Sequence, residues 1–216
     1  MKNIVAIVPV RGGSKRVKNK NSREFADTTL LDIKLDTLKQ VDYIDNIIVS
    51  SDCPKLLEVA KTHGIDTHIR EDYFASDQCT NSEFFENLAT VLSDYDNVMY
   101  SPVTCPLISV DTYNIMVSNF QDYDNLVSTS LVKQHLWLDG KPLNYDIKNS
   151  PNTQNLPDVM CITYGVSLIK RELMLQYRNV VCPDPNFFML DEMESIDIDT
   201  EFDFMVGEHV YKTLRS

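Results

Sequence analysis

The sequence predicts an α/β domain built around a mostly parallel β-sheet. Short apolar runs of the kind found in buried parallel strands alternate with segments whose apolar residues recur at helical spacing. Glycine, proline or polar residues follow these runs, as they do where strands end. A chain of 216 residues fits one domain, which we assign to residues 1–216 with a small protruding lobe at about 133–180.

Predicted strands and helices alternate along the first 132 residues. The first apolar run leads into a glycine-containing loop, as expected of a central parallel strand. Pro54 suits the first turn of the helix after the second strand, and Gly64 suits its C-terminal cap. The predicted strands cover residues 4–10, 46–52, 67–70, 97–100 and 126–132, and the predicted helices cover residues 30–38, 54–64, 82–92 and 111–120.

The pattern changes after about residue 133. Residues 136–143 predict a hairpin with an Asp-Gly turn. Residues 144–158 are rich in Asn, Pro, Asp and Ser and predict a long loop. A further strand is expected at 161–169 and a closing helix at 201–214. The predicted lobe therefore contains β-structure and a long connection.

Composition excludes several classes of protein. The net charge of −12, from 20 basic and 32 acidic residues, disfavours nucleic acid and anionic membranes as partners. No apolar run approaches the length of a membrane span, and the run at 4–8 is too short for a signal peptide, so we expect a cytoplasmic protein. The five cysteines lie far apart and include no C-x-x-C pair, which argues against a zinc site or a disulfide framework.

Charge is concentrated in two segments. Residues 11–23 contain six basic and no acidic residues, and residues 191–203 contain seven acidic and no basic residues. Such segments suggest one site for an anion and one for a cation, although charge runs are also common on solvated surfaces. In the basic segment, Gly12 and Gly13 allow backbone amides to approach a phosphate, and Ser14 adds a donor. Neither a Walker A motif nor a G-x-G-x-x-G fingerprint is present.

The acidic segment contains a D-x-D pair. Asp197 and Asp199 are two residues apart and would project to the same side of an extended segment. Paired carboxylates close to phosphates suit Mg²⁺, which prefers oxygen ligands. The alternative is that Asp199 or Thr200 caps the last helix.

Together these motifs resemble the cytidylyltransferase family that includes N-acylneuraminate cytidylyltransferase and bacterial nonulosonate cytidylyltransferases. The resemblance follows the family's order over nearly the whole chain and implies a Rossmann-like nucleotidyltransferase domain. The matching segments are Arg11-Gly12-Gly13-Ser14-Lys15 with Lys20-Asn21, Val49-Ser50-Ser51-Asp52, Arg70 with Ala75-Ser76-Asp77, Thr104-Cys105-Pro106-Leu107, and Ser195 to Asp203.

The resemblance also implies roles for individual residues. Family members transfer CMP from CTP to an acceptor hydroxyl and release pyrophosphate, with Mg²⁺ as cofactor. Metal ligands would be Asp197 and Asp199, and these two with Arg11 and Lys20 would form the catalytic set. No side-chain general base is evident. The implied nucleotide-binding residues are Arg11, Gly12, Gly13, Ser14, Lys20, Asn21, Arg70, Ser76, Thr80 and Asn81.

On the acceptor side the chain departs from the family pattern. Sialic acid members carry Gln and Arg where this chain has Pro102 and Ile108, and N-G-A where it has Tyr164-Gly165-Val166. A carboxylate acceptor normally requires Arg or a comparable donor. The candidate acceptor residues are Thr104, Lys133, His135, Tyr164, Phe187 and Phe188.

We therefore expect a CTP-dependent enzyme that acts on a nonulosonic sugar acid. The resemblance implies a homodimer formed through the lobe. One alternative is the same chemistry on an octulosonic acid or another hydroxylated metabolite. Others are a nucleotide-sugar glycosyltransferase that uses D-x-D, and a non-enzymatic binding module descended from the enzyme. Pyrophosphate release separates a cytidylyltransferase from a nucleotide-sugar glycosyltransferase.

Overall fold

A seven-stranded sheet forms the centre of the computed structural model, which describes residues 3–14 and 16–215. Its strand order is β11-β7-β10-β6-β1-β4-β5. Only β10 runs antiparallel to its neighbours β6 and β7, so the sheet is mostly parallel, as predicted. The strands are β1 (Ile4–Pro9), β2 (Glu24–Phe25), β3 (Thr28–Thr29), β4 (Asn46–Ser51), β5 (Asp66–Ile69), β6 (Asn97–Tyr100), β7 (Asn125–Val132), β8 (Trp137–Leu138), β9 (Lys141–Pro142), β10 (Val159–Lys170) and β11 (Asn186–Met189).

Helices cover both faces of the sheet. Alternate residues of β1 pack into two separate clusters, because neighbouring side chains of a strand point to opposite faces. One cluster includes residues of α1, α2, α5 and α7, and the other includes residues of α4 and α6. The helices are α1 (Leu30–Leu38), α2 (Pro54–Thr62), α3 (Asp72–Ala75), α4 (Asn81–Val91), α5 (Val110–Asn119), α6 (Arg171–Tyr177) and α7 (Glu201–Arg215).

The predicted strands and helices are all present, with ends that move by one or two residues. The expected hairpin forms as β8 and β9, and its turn uses Asp139 and Gly140 with φ values of 49° and 73°. The sequence analysis missed the short helix α6 and the edge strand β11. Phe187 and Phe188 lie in β11, which pairs parallel to β7.

The lobe is shorter than the predicted 133–180. Residues 133–158 lie outside the central sheet and contain β8, β9 and two single turns of 3₁₀ helix. From Val159 onward the chain rejoins the sheet as β10. Within the part of the chain that the structure describes, no helix is both long and apolar enough to cross a membrane.

Candidate active site

The predicted site segments meet in a cavity of about 320 Å³ at the carboxyl ends of β1 and β6. This is the edge where α/β sheets of this kind place their ligands. The walls are the loop after β1, the turn after β6, an irregularity in β10 and the segment before α7. The lining residues are Pro9, Arg11, Ser14, Arg16, Val17, Lys20, Asn21, Arg70, Phe84, Tyr100, Pro102, Val103, Thr104, Thr163, Tyr164, Asp197 and Asp199.

The loop after β1 is held by hydrogen bonds to the neighbouring strand and to itself. The Gly12 amide donates to Asp52 Oδ1 at 2.9 Å, so the carboxylate that follows β4 holds the loop in place. Gly13 has a φ of 70°, a conformation that glycine adopts without strain. Buried Asn21 donates from Nδ2 to the Arg11 carbonyl at 2.9 Å, and its Oδ1 has no partner among the described residues. Lys15 lies outside the described residues.

Basic side chains of this loop reach across to the acidic segment. Arg16 Nη1 lies 2.7 Å from Asp199 Oδ2, and Lys20 Nζ lies 3.7 Å from Asp199 Oδ1. Lys20 is mostly buried and also donates to the Ile198 carbonyl at 2.5 Å. Burial lowers the pKa of Lys20, and the nearby carboxylates of Asp199 and Asp197 oppose that shift. The two charge-rich segments therefore form one site.

Arg11 lies on the other side of the same loop. Its Nη1 forms a 3.0 Å ion pair with Asp77 and donates to the Ala75 carbonyl at 3.2 Å. Arg11 borders the first cavity and also a second cavity, described below. Its side chain is 40% exposed, so the guanidinium is open to a ligand from either side.

Asp197 is anchored by the turn after β6. The Ile198 amide donates to the Thr104 carbonyl at 2.9 Å, and the Cys105 thiol lies 3.8 Å from Asp197 Oδ1. Although Asp197 is open to the cavity, the surrounding protein raises its pKa, and the nearby Asp199 raises it further.

The structure decides against Asp199 as a helix cap. Thr200 and Asp203 cap α7 instead: the Asp203 amide donates to Thr200 Oγ1, and the Thr200 amide donates to Asp203 Oδ2. The side chain of Asp199 is thus directed to the cavity rather than to the helix. Carboxylates at Asp197 and Asp199 fit a hard divalent cation that takes its other ligands from a bound phosphate.

A second cavity of about 360 Å³ adjoins the first beside Arg70. Arg70 is buried and donates to the carbonyls of Val10 and Ser50 and to Ser50 Oγ. Its guanidinium also lies 5.0 Å from the centre of the Phe84 ring. Burial lowers the pKa of this guanidinium. Among the lining residues are Arg11, Arg70, Ser76, Asp77, Asn81 and Phe84.

Not every predicted nucleotide-binding residue faces these cavities. Ser76 and Asn81 line the second cavity, whereas Gly12 and Gly13 line a smaller cavity beside the loop after β1. Thr80 is the N-cap of α4, where its hydroxyl accepts from the Glu83 amide and donates to the Glu83 carboxylate.

A family model described as Cytidylyltransferase matches residues 5–136, which is more than half of the chain. The chain belongs to the cytidylyltransferase family. The expectation drawn from the motifs is thereby confirmed, and the protein is an enzyme of the nucleotidyltransferase type.

Individual relatives of this cytidylyltransferase match most of its length. It is 24% identical to Post-translational flagellin modification protein B of Campylobacter coli, over 98% of this chain and 96% of the relative. It is also 24% identical to CMP-N,N'-diacetyllegionaminic acid synthase of Campylobacter jejuni, over 96% of this chain and 94% of the relative.

Solved structures confirm the fold of the cytidylyltransferase. CMP:2-keto-3-deoxy-manno-octonic acid synthetase complexed with CTP has a TM-score of 0.71 and 12% identity, over 98% of this chain and 99% of that one. At this level of identity the similarity concerns the Rossmann-like nucleotidyltransferase fold alone.

The structure brings two of the six candidate acceptor residues of the cytidylyltransferase to the main cavity. Thr104 and Tyr164 line it, and Tyr164 has a φ of 55° where the pairing of β10 with β7 shifts register. A left-handed conformation is uncommon for a tyrosine. A Cβ at the following Gly165 would lie 2.8 Å from Ile108 Cδ1 and 3.2 Å from Cys105 Sγ, so these buried side chains would have to shift to admit one.

The other four acceptor candidates lie outside the residues that line this cavity. Lys133 forms an ion pair with Asp158, and the His135 ring contacts the Tyr145 ring in the lobe. Phe187 is half-exposed at the edge of the sheet, while Phe188 packs against the core. Their acceptor roles stay predictions.

Several residues of the site were not singled out from the sequence. Arg16 was counted in the basic segment but given no role, although it pairs with Asp199. Phe84 and Thr163 also line the cavity. Arg16 follows the matched motif directly, so its place next to that motif could have identified it as a site residue. Phe84 and Thr163 reach the site through helix orientation and strand register, which no local motif reports.

Proposed function

We propose that this enzyme is a Mg²⁺-dependent cytidylyltransferase that transfers CMP from CTP to a nonulosonic acid and releases pyrophosphate. One observation carries the proposal: the basic loop after β1 and the carboxylates before α7 face each other in one cavity, joined through Arg16 and Asp199. A nucleoside triphosphate supplies negative charge for the basic loop, and its divalent cation supplies positive charge for the carboxylates.

The basic loop is proposed to bind the triphosphate. Arg11, Lys20 and Ser14 border the cavity from one side and offer charged and neutral donors. Asn21 also borders the cavity and is proposed to contact the ribose. Positive charge at Lys20 and Arg11 would stabilise the leaving pyrophosphate as the bond to the α-phosphorus breaks.

The second cavity beside Arg70 is proposed to bind the cytidine end of CTP. It continues from the triphosphate site past Arg11, and Ser76 and Asn81 supply polar groups at its wall. Phe84 offers an aromatic surface there, and Arg70 offers a fixed positive charge. This placement leaves the part of the main cavity near Thr104 and Tyr164 for the acceptor.

Asp197 and Asp199 are proposed to hold Mg²⁺. Both are acidic oxygen donors open to the cavity, and neither caps α7. When bound, the cation would neutralise charge on the phosphates and help to orient them. The protein's own part is to fix the segment that carries the two carboxylates, through the bond of the Ile198 amide to the Thr104 carbonyl.

A nonulosonic acid is the proposed acceptor class. Relatives that match nearly the whole chain include an enzyme named for a legionaminic acid product and a flagellin modification protein. Thr104 and Tyr164 would contact the sugar acid. We further propose a homodimer formed through the lobe at 133–158, acting in the cytoplasm.

An octulosonic acid is the second candidate acceptor. Ile108, which stands where sialic acid enzymes have Arg, is buried against Gly165 and offers no donor to a carboxylate. The acceptor half of the site therefore differs from that of the sialic acid enzymes. This observation does not bear on the nucleotide half.

The test is pyrophosphate release from CTP and Mg²⁺ with legionaminic, pseudaminic, sialic and octulosonic acids. We expect release with CTP and one nonulosonic acid, and none with ATP or UTP. Release with octulosonic acid alone would replace the proposed acceptor by the second candidate. Absence of release with every acceptor, from protein that binds CTP, would overturn the proposed acceptor class.

A further inference from the structure

A lysine lies fully buried in the core of the enzyme. Lys34 is 1% exposed on α1, and the other buried residues of that helix are leucines and an isoleucine. Lysine is almost never buried without a partner, because moving an ammonium group out of water is costly. Among the described residues, no carboxylate lies within 4 Å of its Nζ.

The partners of Lys34 lie in one turn or next to it. Nζ donates to the Cys105 carbonyl at 3.0 Å and to the Tyr113 hydroxyl at 2.6 Å. That hydroxyl is also 2.6 Å from Ser101 Oγ. Ser101 begins the turn that follows β6, and Cys105 lies in its middle. The ammonium group therefore holds this turn directly at Cys105 and, through the Tyr113 hydroxyl, at Ser101.

The same turn holds the carboxylate segment from the cavity side. The carbonyl of Thr104 accepts from the Ile198 amide at 2.9 Å. The Cys105 thiol lies 3.8 Å from Asp197 Oδ1, within the range of a weak sulfur hydrogen bond. Thr104 and Cys105 are adjacent, so a single peptide unit separates the carbonyl that Lys34 holds from the carbonyl that accepts from Ile198.

We propose that Lys34 is a positioning residue for the transfer site: it holds the turn after β6 (residues 101–108) so that Thr104 and Cys105 fix the segment that presents Asp197 to a divalent cation. The inference rests on the proposed function in that it assigns the cation to Asp197 and Asp199. A buried cation suits this task because its bonds to Cys105 and Tyr113 cannot be exchanged for bonds to bulk water. Lys34 itself touches no substrate.

The test is Lys34→Met, which keeps a side chain of similar length and removes the charge and its donors. We expect Mn²⁺ affinity in the presence of CTP, measured by electron paramagnetic resonance, to fall about 10-fold, as when groups that orient metal ligands are removed. CTP binding measured in EDTA should stay unchanged. Tm should stay within about 5 °C, because relief of the buried charge offsets the bond lost at Cys105.

A matched control separates positioning from general loss of stability. Leu88→Ala removes a buried side chain from α4, on the opposite face of the sheet. We expect it to lower Tm and to leave Mn²⁺ affinity unchanged. Equal Mn²⁺ affinity in Lys34→Met and wild type would overturn the proposal, as would an equal loss in Leu88→Ala.

Tyr113→Phe keeps the test decisive if Lys34→Met does not fold. It retains the ring and removes the hydroxyl between Lys34 and Ser101. We expect a smaller loss of Mn²⁺ affinity in the same direction, and unchanged affinity would then overturn the inference. Wild-type protein that binds Mn²⁺ and CTP but releases no pyrophosphate would count against the proposed function alone. Wild-type protein that binds no Mn²⁺ would overturn the positioning role too.

Discussion

Asp199→Asn tests the proposed metal site with the least disturbance to the fold. The substitution keeps the size of a side chain that is 40% exposed and pairs with Arg16 at 2.7 Å and Lys20 at 3.7 Å. Two unit charges about 4 Å apart attract by about 1 kcal/mol in water, and exposed ion pairs contribute about 0–1 kcal/mol net. The free energy of unfolding should therefore fall by about 1 kcal/mol, which lowers Tm by about 2–4 °C in a protein of this size.

Activity should fall much further than stability. An amide carries no charge to balance a divalent cation, and removal of one preorganised electrostatic group typically costs about 100-fold or more in rate. At about 1.4 kcal/mol per tenfold, that is about 2.7 kcal/mol of lost transition-state stabilisation. The contrast between the two losses is what identifies a metal ligand.

Two measurements on the Asp199→Asn variant check this expectation. Pyrophosphate release gives the activity, and melts with and without Mg²⁺ and CTP give the stability. A ligand at about 100 times its Kd stabilises the folded state by about 2.7 kcal/mol. Wild-type Tm should rise accordingly, and the variant should lose most of that rise.

Glu201→Gln is the matched control, because it removes the same charge two residues away. Glu201 is 51% exposed and pairs with Arg23 at 2.7 Å, and it does not line the cavity. We expect this variant to retain both activity and the rise in Tm. An Asp199→Asn enzyme with wild-type activity, or equal losses in both variants, would refute the metal assignment.

Three further tests probe other parts of the site. Lys20→Met should lower kcat/KM for CTP by about 100-fold, which steady-state kinetics would measure. Its Tm should change little, because burial lowers the pKa of Lys20 and offsets its pairing with Asp199. An unchanged kcat/KM would contradict the proposed role of Lys20. Asp197→Asn should abolish activity and raise Tm slightly near neutral pH. Since the surrounding protein raises the pKa of Asp197, the folded wild type binds more protons than the unfolded chain and regains stability as the pH falls toward about 4. Melts across this range should show the two Tm values converging, and a widening gap in acid would count against the assigned sign. Gly165→Ala should destabilise by about 1–3 kcal/mol, because its Cβ would lie 2.8 Å from Ile108 Cδ1. Ile108→Val deletes that methyl and should restore part of the loss in a denaturation double-mutant cycle, whereas strict additivity would argue against the contact.

The sequence predicted most of the strands and helices because those features are local. Apolar runs, Pro54 and Gly64 lie next to the structure they determine, and the carboxyl ends of parallel strands meet at one edge wherever the helices pack. The Gly12 amide bonds Asp52 across that edge, as expected for segments that follow neighbouring strands.

Contacts between segments that are distant in the chain could not be predicted from the sequence. Lys34 lies among apolar residues on α1, and only the packed structure shows that it reaches Cys105 rather than solvent. Tyr164 reaches the cavity through a register shift that depends on how β10 pairs with β7. His135 was a chemically reasonable acceptor candidate, yet it packs against Tyr145 in the lobe.

The ion pair between Arg16 and Asp199 has a thermodynamic consequence for ligand binding. A triphosphate that binds Arg16 alone would take from Asp199 the closer of its two basic partners and leave Lys20 at 3.7 Å, and a cation that binds Asp199 alone would deprive Arg16 of this counter-charge. Only both ligands together give each group a new counter-charge. Nucleotide and metal should therefore raise each other's affinity by the same factor. By the same reasoning a polyanion without a bound divalent cation, such as CTP in EDTA, should bind more weakly than the same polyanion with its cation.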